Sequence, residues 1–256
     1  MQWNDIHGRN DAVLLDKILR GQGFYVTILT DSRATANNIR RQLAEQVDGA
    51  MPGDIVYIHF SSHGQPVEDI SGDETDGWDE SVVAYDAAHR YKAGVYTGEN
   101  HITDDELGKY ISEIRRRVGR KGFVYVVVDA CHAGDFSRGE DTVDDISHSV
   151  HIRGTCDGFS RTGKPYVPRL DKRANITLSG AAGLSGACYL EACRSYQNNV
   201  EIMENGKYYG ALTYYICRVL QKTKLTADFS WVERVRSLMK ADKRLIRQNM
   251  VTETSR

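Results

Sequence analysis

The chain has 256 residues and a net charge of −2. This length predicts one large α/β domain with a substantial core, although two small domains are also compatible with it. The small charge gives no reason to expect nucleic acid or a membrane surface as partner. The five cysteines contain no Cys-x-x-Cys pair, so neither a disulfide framework nor a zinc site is indicated. Because we find neither an apolar stretch of the ~20 residues that a membrane span needs nor the apolar core of a signal peptide, we expect a cytoplasmic location.

Helical and extended patterns alternate near the start of the chain. Apolar spacing predicts a helix over residues 12–19 that stops at Gly21, and an extended segment follows at residues 24–29. Thr35 is expected to cap a second helix, which Pro52-Gly53 ends. This alternation favours a mostly parallel sheet that is covered by helices on both faces.

Two apolar strands end in residues that can carry chemistry. Residues 55–60 lead into His63, and residues 124–128 lead to Cys131; a helix that begins at Thr103 separates the two strands. A cysteine and a histidine at adjacent strand ends would form a nucleophile and base pair. Taken singly, the cysteine could be a buried structural thiol and the histidine a loop residue bonded to backbone.

The alternating pattern stops after Gly134. Residues 134–173 are polar and rich in glycine and proline, and such a long loop is unusual unless it is functional or disordered. The basic residues of this stretch are Arg138, Arg153, Arg161, Lys164, Arg169, Lys172 and Arg173. A short strand at 176–178 and helices at about 209–220 and 229–244 are expected beyond it.

Four motifs in series carry a resemblance to a known family. They are Phe60-Ser61-Ser62-His63-Gly64, Asp73-Glu74-Thr75-Asp76-Gly77-Trp78-Asp79-Glu80, Ile102-Thr103-Asp104-Asp105-Glu106-Leu107 and Asp129-Ala130-Cys131-His132-Ala133-Gly134. A weaker match joins Leu178-Ser179-Gly180-Ala181-Ala182 with Gly210-Ala211-Leu212-Thr213-Tyr214. On these residues the chain resembles the caspase–metacaspase clan of cysteine proteases, and it is most similar to prokaryotic metacaspase-like proteins.

The resemblance implies one caspase-like peptidase domain over residues 1–256. Its fold would be α/β, with a mostly parallel central β-sheet flanked by helices on both faces as an α/β/α sandwich. The domain would comprise a p20-like part at 1–134 with the dyad, a long basic linker loop at 135–174 and a p10-like part at 175–256.

The same resemblance assigns catalytic roles. Cys131 would be the nucleophile and His63 the acid and base, while the backbone N–H groups of Gly64 and Cys131 would hold the oxyanion. His132 is not expected to act as the catalytic histidine, because it follows Cys131 directly and neighbouring strand residues point to opposite faces.

Metacaspase resemblance also implies cleavage after Arg or Lys through an acidic S1 pocket. The matching positions are Asp11, Asp129 and Ser61, and two carboxylates at a pocket floor would pair with a guanidinium. The expected partner is therefore a protein or peptide substrate with a basic residue at the cleavage site. Asp11 could instead be an acid in the first turn of a helix.

Calcium is the cofactor that the resemblance implies. Residues 68–86 contain eight acidic side chains and no Lys or Arg, so oxygen ligands are abundant. The nominated ligands are Asp104, Asp105 and Asp79 or Asp76. A later family aspartate has no clear counterpart because Arg138 falls near its place, although Asp135 could substitute. The alternative is a helix cap beside a solvated acidic loop.

Two further expectations concern the linker and the start of the fold. A pocket for Arg or Lys would let the enzyme cut its own basic stretch at 138–173, so self-processing is a hypothesis, and the alternative is a solvated loop. The family's first apolar strand is missing before Asn10-Asp11-Ala12; either the chain starts late, or another segment, such as residues 200–203, fills its place in the sheet.

Other function classes stay open at this stage. The chain could be a catalytically silent caspase-like scaffold or regulatory module, although retention of both Cys131 and His63 speaks against this. It could also be another cysteine hydrolase that acts on an amide or thioester. A regulatory protein partner is possible in either case.

Overall fold

A computed structural model describes residues 3–131, 151–178 and 183–255 of the chain. In chain order its helices and strands are α1 (Gly8–Gly21), α2 (Ala36–Gly49), β1 (Ile55–Ser61), β2 (Gly64–Glu68), β3 (Trp78–Val83), β4 (His101–Thr103), α3 (Asp104–Val118), β5 (Phe123–Asp129), β6 (Asn175–Leu178), β7 (Gly186–Glu191), β8 (Glu201–Glu204), β9 (Lys207–Gly210), α4 (Ala211–Leu220), α5 (Trp231–Ala241) and β10 (Val251–Ser255). Within the described residues, no helix combines the length and apolar character that crossing a membrane requires.

The central sheet has five strands in the order β1-β5-β7-β10-β6. All neighbouring pairs are parallel except β7 and β10, which run antiparallel. The expected α/β fold with a mostly parallel central sheet is therefore confirmed. A three-stranded antiparallel sheet, β2-β3-β4, begins directly after the tip of β1, and β8 and β9 form a separate pair.

The two faces of the central sheet are covered by different helices. Along β5 the side chains alternate, so Tyr125 and Val127 join one apolar cluster with α1, α4 and α5, whereas Val124 and Val126 join the other with α2 and α3. Burial on both faces explains why β5 is a continuous apolar run. This double coverage confirms the α/β/α sandwich.

Helix starts were readable where a local cap specifies them. The Thr35 side chain accepts a hydrogen bond from Asn38 N at the start of α2, and the Thr103 side chain accepts one from Glu106 N at the start of α3. Each bond satisfies an amide that lacks a partner inside its helix.

The expected strand at residues 24–29 does not form. Its backbone has no strand partner within the described residues, and a cavity of about 780 Å³, lined by both Val26 and Tyr57, lies between this segment and β1. The suggestion that residues 200–203 fill this place is also wrong, because β8 pairs with β9 instead. Among the described strands, β1 therefore remains the edge of the sheet.

Candidate active site

His63 and Cys131 lie just beyond the ends of neighbouring strands. In the parallel pair of β1 and β5 the last partners are Ser61 and Asp129, so His63 and Cys131 stand at matching positions two residues further on. Both are buried, with 8% and 1% of their surfaces exposed. The register thus places the two residues that the sequence nominated at the same end of the sheet.

The residues before α1 fix the imidazole of His63. Its Nε2 lies 2.8 Å from the carbonyl oxygen of Asn4, and the Trp3 ring stacks on it with a centroid separation of 5.0 Å. Since a carbonyl only accepts, Nε2 carries the proton and Nδ1 keeps a lone pair, which has no hydrogen-bond partner within the described residues. Burial lowers the pKa of His63, so the ring is neutral at neutral pH and can take up a proton.

Both nominated backbone donors point at one carbonyl group. The N–H of Cys131 donates to the carbonyl oxygen of Arg153 at 2.8 Å, and the N–H of Gly64 donates to the same atom at 3.3 Å. Arg153 lies in the stretch that was expected to be a linker loop. This part of the linker therefore runs across the ends of the strands rather than out into solvent.

The side chain of Arg153 is fully buried among acids. Its Nη2 lies 2.7 Å from Asp11 and 2.8 Å from Glu201, while its Nη1 donates to Ser61 Oγ at 2.5 Å and lies 3.8 Å from Asp129. The three nominated pocket residues thus surround a single guanidinium. The alternative interpretation of Arg153 as a side chain of a solvated loop is therefore wrong.

The pocket acids are held by donors from the second half of the chain. The carboxylate of Asp129 accepts from the N–H and hydroxyl of Thr213 at 2.7 and 2.6 Å and from the amide of Asn199 at 2.7 Å. Asp11, which does lie in the first turn of α1, accepts from Gly210 N at 3.1 Å. Burial raises the pKa of Asp11 to about 7 against the opposing effect of Arg153.

Gly154 follows Arg153 and packs directly against Cys131. A Cβ atom at this position would overlap the carbonyl oxygen of Cys131. The chain continues in extended form, and Thr155 N donates to the carbonyl of Gly64 at 3.3 Å. Before Arg153, residue Ile152 forms an antiparallel bridge with Val200.

Sequence reasoning missed Glu201 and Asn199. Each partners a residue far away in the chain, Arg153 in one case and Asp129 in the other. No motif around either residue signals that role. Arg153 was among the basic linker residues, but nothing distinguished it from its neighbours.

The structure brings only part of the nominated calcium ligands together. Burial is the main cause that raises the pKa of Asp79 to about 7, and the nearby charges of Asp104 and Asp105 add to it. Asp69 and Asp73 join Asp79 in a group whose ligand atoms all lie within 4.8 Å of one another.

Asp76 is engaged elsewhere. It forms an ion pair with Arg169 at 2.7 Å and accepts from Trp78 N at 3.1 Å. His132, Asp135 and Arg138 lie outside the described residues. No disulfide joins the five cysteines, all of which are described.

The fold and the site together define a class of protein. An α/β/α sandwich with a histidine and a cysteine at the ends of adjacent parallel strands is the arrangement of caspase-like proteins. The caspase domain model of peptidase family C14 matches residues 4–255, and the chain belongs to this family.

The chain is also similar to several metacaspases. It is 29% identical over 162 residues to Metacaspase-1 of Pyricularia oryzae, covering 61% of this chain and 34% of that protein. It is 26% identical over 243 residues to Metacaspase-1 of Mycosarcoma maydis, covering 83% and 58%. It is 30% identical over 140 residues to Metacaspase-7 of Arabidopsis thaliana, covering 51% and 30%. The chain thus spans less than two thirds of the length of each.

A solved structure shares the fold. The crystal structure of a protein from Geobacter sulfurreducens superimposes with a TM-score of 0.60 over 96% of this chain and 82% of that chain, at 20% identity. An identity this low supports the fold alone.

Proposed function

We propose that this protein is a cysteine endopeptidase that cleaves peptide bonds after Arg or Lys. One observation carries the proposal: the carbonyl of Arg153 accepts from both nominated oxyanion donors while its side chain fills the nominated acidic pocket. A substrate residue before the scissile bond must satisfy both conditions at once. The contacts of Arg153 support the proposal because they match those expected of a bound substrate.

The chemistry follows from the groups at the strand ends. Cys131 gives its proton to Nδ1 of His63, and the thiolate attacks the carbonyl carbon of the substrate. The negative charge that develops on the carbonyl oxygen is held by the N–H groups of Cys131 and Gly64. The C–N bond then breaks as His63 returns the proton to the departing amine, and water hydrolyses the thioester with His63 as base.

We expect the pocket to favour arginine over lysine and to exclude aspartate, and the contacts of Arg153 support this. Arg153 uses separate N–H groups, since Nε and Nη2 both reach Glu201, Nη2 reaches Asp11 and Nη1 reaches Ser61. A lysine presents its three donors from one point and cannot match this spread of acceptors. An acidic side chain would be repelled by the same carboxylates.

The position of Arg153 also supports self-processing, at the bond between Arg153 and Gly154. Glycine suits the position directly after the scissile bond, because the Cβ of any larger residue would overlap the Cys131 backbone. Cleavage there would produce a new N-terminus that begins Gly-Thr-Cys.

Calcium is proposed as a cofactor on the acidic surface between β2 and α3. The crowding of carboxylates suits a divalent cation. Burial and repulsion by Asp104 raise the pKa of Asp79 to about 7, and a bound cation would relieve this repulsion. Asp79, Asp104 and Asp105 would hold the ion, with Asp69 and Asp73 nearby. When bound, the cation would neutralise this surface and fix the loop that precedes β3.

Paired fluorogenic peptides test the specificity. We would assay His-Ile-Arg, His-Ile-Lys and His-Ile-Asp substrates with the native chain and Cys131→Ala, each with and without calcium. We expect turnover in the order Arg, Lys and then none for Asp, all lost in the variant. Absence of turnover with every peptide would favour the catalytically silent alternative, and cleavage of small amides alone would favour a different hydrolase.

Self-processing needs its own readout. N-terminal sequencing and intact mass of the incubated native chain should reveal a fragment that starts at Gly154, absent from Cys131→Ala. An active preparation in which the chain remains uncleaved would refute this part of the proposal.

A further inference from the structure

Two imidazoles and a carboxylate converge beside the buried Arg153. They are His7, His151 and Glu201, whose ligand atoms all lie within 4.8 Å of one another. Nδ1 of His7 lies 2.6 Å from Oε2 of Glu201, and the two imidazole rings meet edge to face at 4.9 Å. The three residues come from separate parts of the fold: the residue before α1, the linker and β8.

Neighbouring groups orient this cluster. The Tyr208 ring stacks on His7 at 5.0 Å and meets His151 edge-on at 4.6 Å. Oε1 of Glu201 accepts from the N–H of His7 at 2.7 Å and from Arg153 at 2.8 Å, so its other oxygen faces the imidazoles. Such outer partners are typical of groups that hold metal ligands in place.

The local charge also suits a cation. Three buried carboxylates, Asp11, Asp129 and Glu201, surround the one guanidinium of Arg153. A side chain of His7 that is 37% exposed leaves a path from solvent.

We propose that His7, His151 and Glu201 form a binding site for a divalent transition ion of the Zn²⁺ class. Two imidazole nitrogens and a carboxylate oxygen are the donors that such ions prefer, and the fourth position is left to water. Bonds of about 2.0–2.1 Å to the metal require the His7 to Glu201 contact to open by less than about 1 Å. No cysteine takes part.

The site has a regulatory consequence that rests on the proposed function. His151 stands two residues before Arg153, so after the proposed cut it would remain covalently joined to the fragment that carries Cys131. A metal that ties His151 to Glu201 would hold the newly cut end in the acidic pocket. The ion would therefore suppress cleavage of other substrates by retaining the enzyme's own product.

Metal binding is tested first, without any need for activity. The full chain carrying Cys131→Ala is titrated with Zn²⁺ against a chromophoric chelator, and with Co²⁺ while visible absorption is recorded. We expect one ion per chain with the absorption of a tetrahedral Co²⁺ site. His151→Ala and, separately, His7→Gln should each weaken Zn²⁺ binding at least about tenfold.

Matched variants remove the other candidate ligands. Asp73→Asn alters the acidic group near Asp79, and Cys156→Ser removes a half-buried thiol. Both should bind Zn²⁺ as Cys131→Ala alone does. If either loses the ion, or if His151→Ala and His7→Gln keep it while their thermal unfolding stays normal, the site is refuted.

The regulatory step is then measured in the chain with its native Cys131. The ratio of peptidase rates without and with Zn²⁺ should be several-fold larger for the native chain than for His151→Ala. Equal ratios would overturn the regulatory role and leave the site intact. Absence of peptidase activity in every variant would count against the proposed function, and the binding result would still decide the site.

Discussion

Replacing Arg153 with glutamine should destabilise the whole domain. The guanidinium is the cation shared by Asp11, Asp129 and Glu201, whose side chains are all fully buried. Removing one partner of a buried ion cluster leaves uncompensated charge and costs about 3–5 kcal/mol. We expect a loss of this order at pH 8 in the free energy of unfolding of a Cys131→Ala chain, which cannot cut itself.

The loss should depend on pH in a definite direction. The pKa of Asp11 is already raised to about 7 by burial while Arg153 opposes the shift, so without the guanidinium it rises further. Below about pH 7 both chains hold this proton, so Asp11 adds no pH dependence to the difference between them. Above it the native carboxyl ionises first, so the deficit of Arg153→Gln grows as the pH rises.

Urea unfolding at pH 6 and pH 9, followed by tryptophan fluorescence, to which the buried Trp78 and Trp231 contribute, measures both effects. Arg161→Gln is the matched control, because Arg161 lies on the same linker but is exposed, and it should change stability by less than about 0.5 kcal/mol. A loss below about 1 kcal/mol for Arg153→Gln at pH 9, or one equal to that of the control, would refute the idea that the buried charges hold the linker in place.

Four shorter predictions concern activity. Gly154→Ala should displace the linker, because the added Cβ would overlap the Cys131 backbone. Self-cleavage should then fall at least about tenfold, and added Arg peptides should be cut without a lag. A lag equal to that of the native chain would contradict this. Asp129→Asn should lower kcat/KM for Arg peptides about 10- to 100-fold, since it removes the charge near the guanidinium, and unchanged discrimination against Asp peptides would argue otherwise. Because burial lowers the pKa of His63, kcat at saturating peptide, which does not report how tightly Asp11 binds the substrate, should stay level as the pH drops below the ordinary value of about 6.5, and a fall in kcat that begins above that pH would count against the neutral imidazole. Asp79, with its pKa raised to about 7, should make calcium stimulation stronger at pH 8 than at pH 6, and Asp79→Asn should abolish this difference in the same peptide assay.

The parts of the fold that the sequence revealed are those set by local patterns. The threonines at the starts of α2 and α3 accept from an amide three residues on, so their capping is written in adjacent residues. β1 and β5 are apolar runs, and their ends locate His63 and Cys131. The short strands β8, β9 and β10 had no such signal, because pairing rather than composition defines them.

The parts that the sequence did not reveal depend on distant partners. Glu201 binds Arg153 from 48 positions away, and Asn199 binds Asp129 from 70 positions away. Residues 151–155 have no apolar periodicity, so they suggested a solvated loop, yet charge pairing and backbone bonds fix them in the site. Residues 24–29 show the reverse case: their composition suits a strand, but a cavity separates them from the edge strand β1, so no ladder forms.

Under the proposed self-processing, the Arg153 segment would also determine how fast and in what order the chain acts. A substrate that is part of the enzyme is present at an effective concentration in the millimolar range, which free peptides rarely match. The first cut would then be a unimolecular event whose half-time is unchanged when the protein is diluted. Every later turnover would depend on concentration, and it could begin only after this built-in competitor had left the pocket.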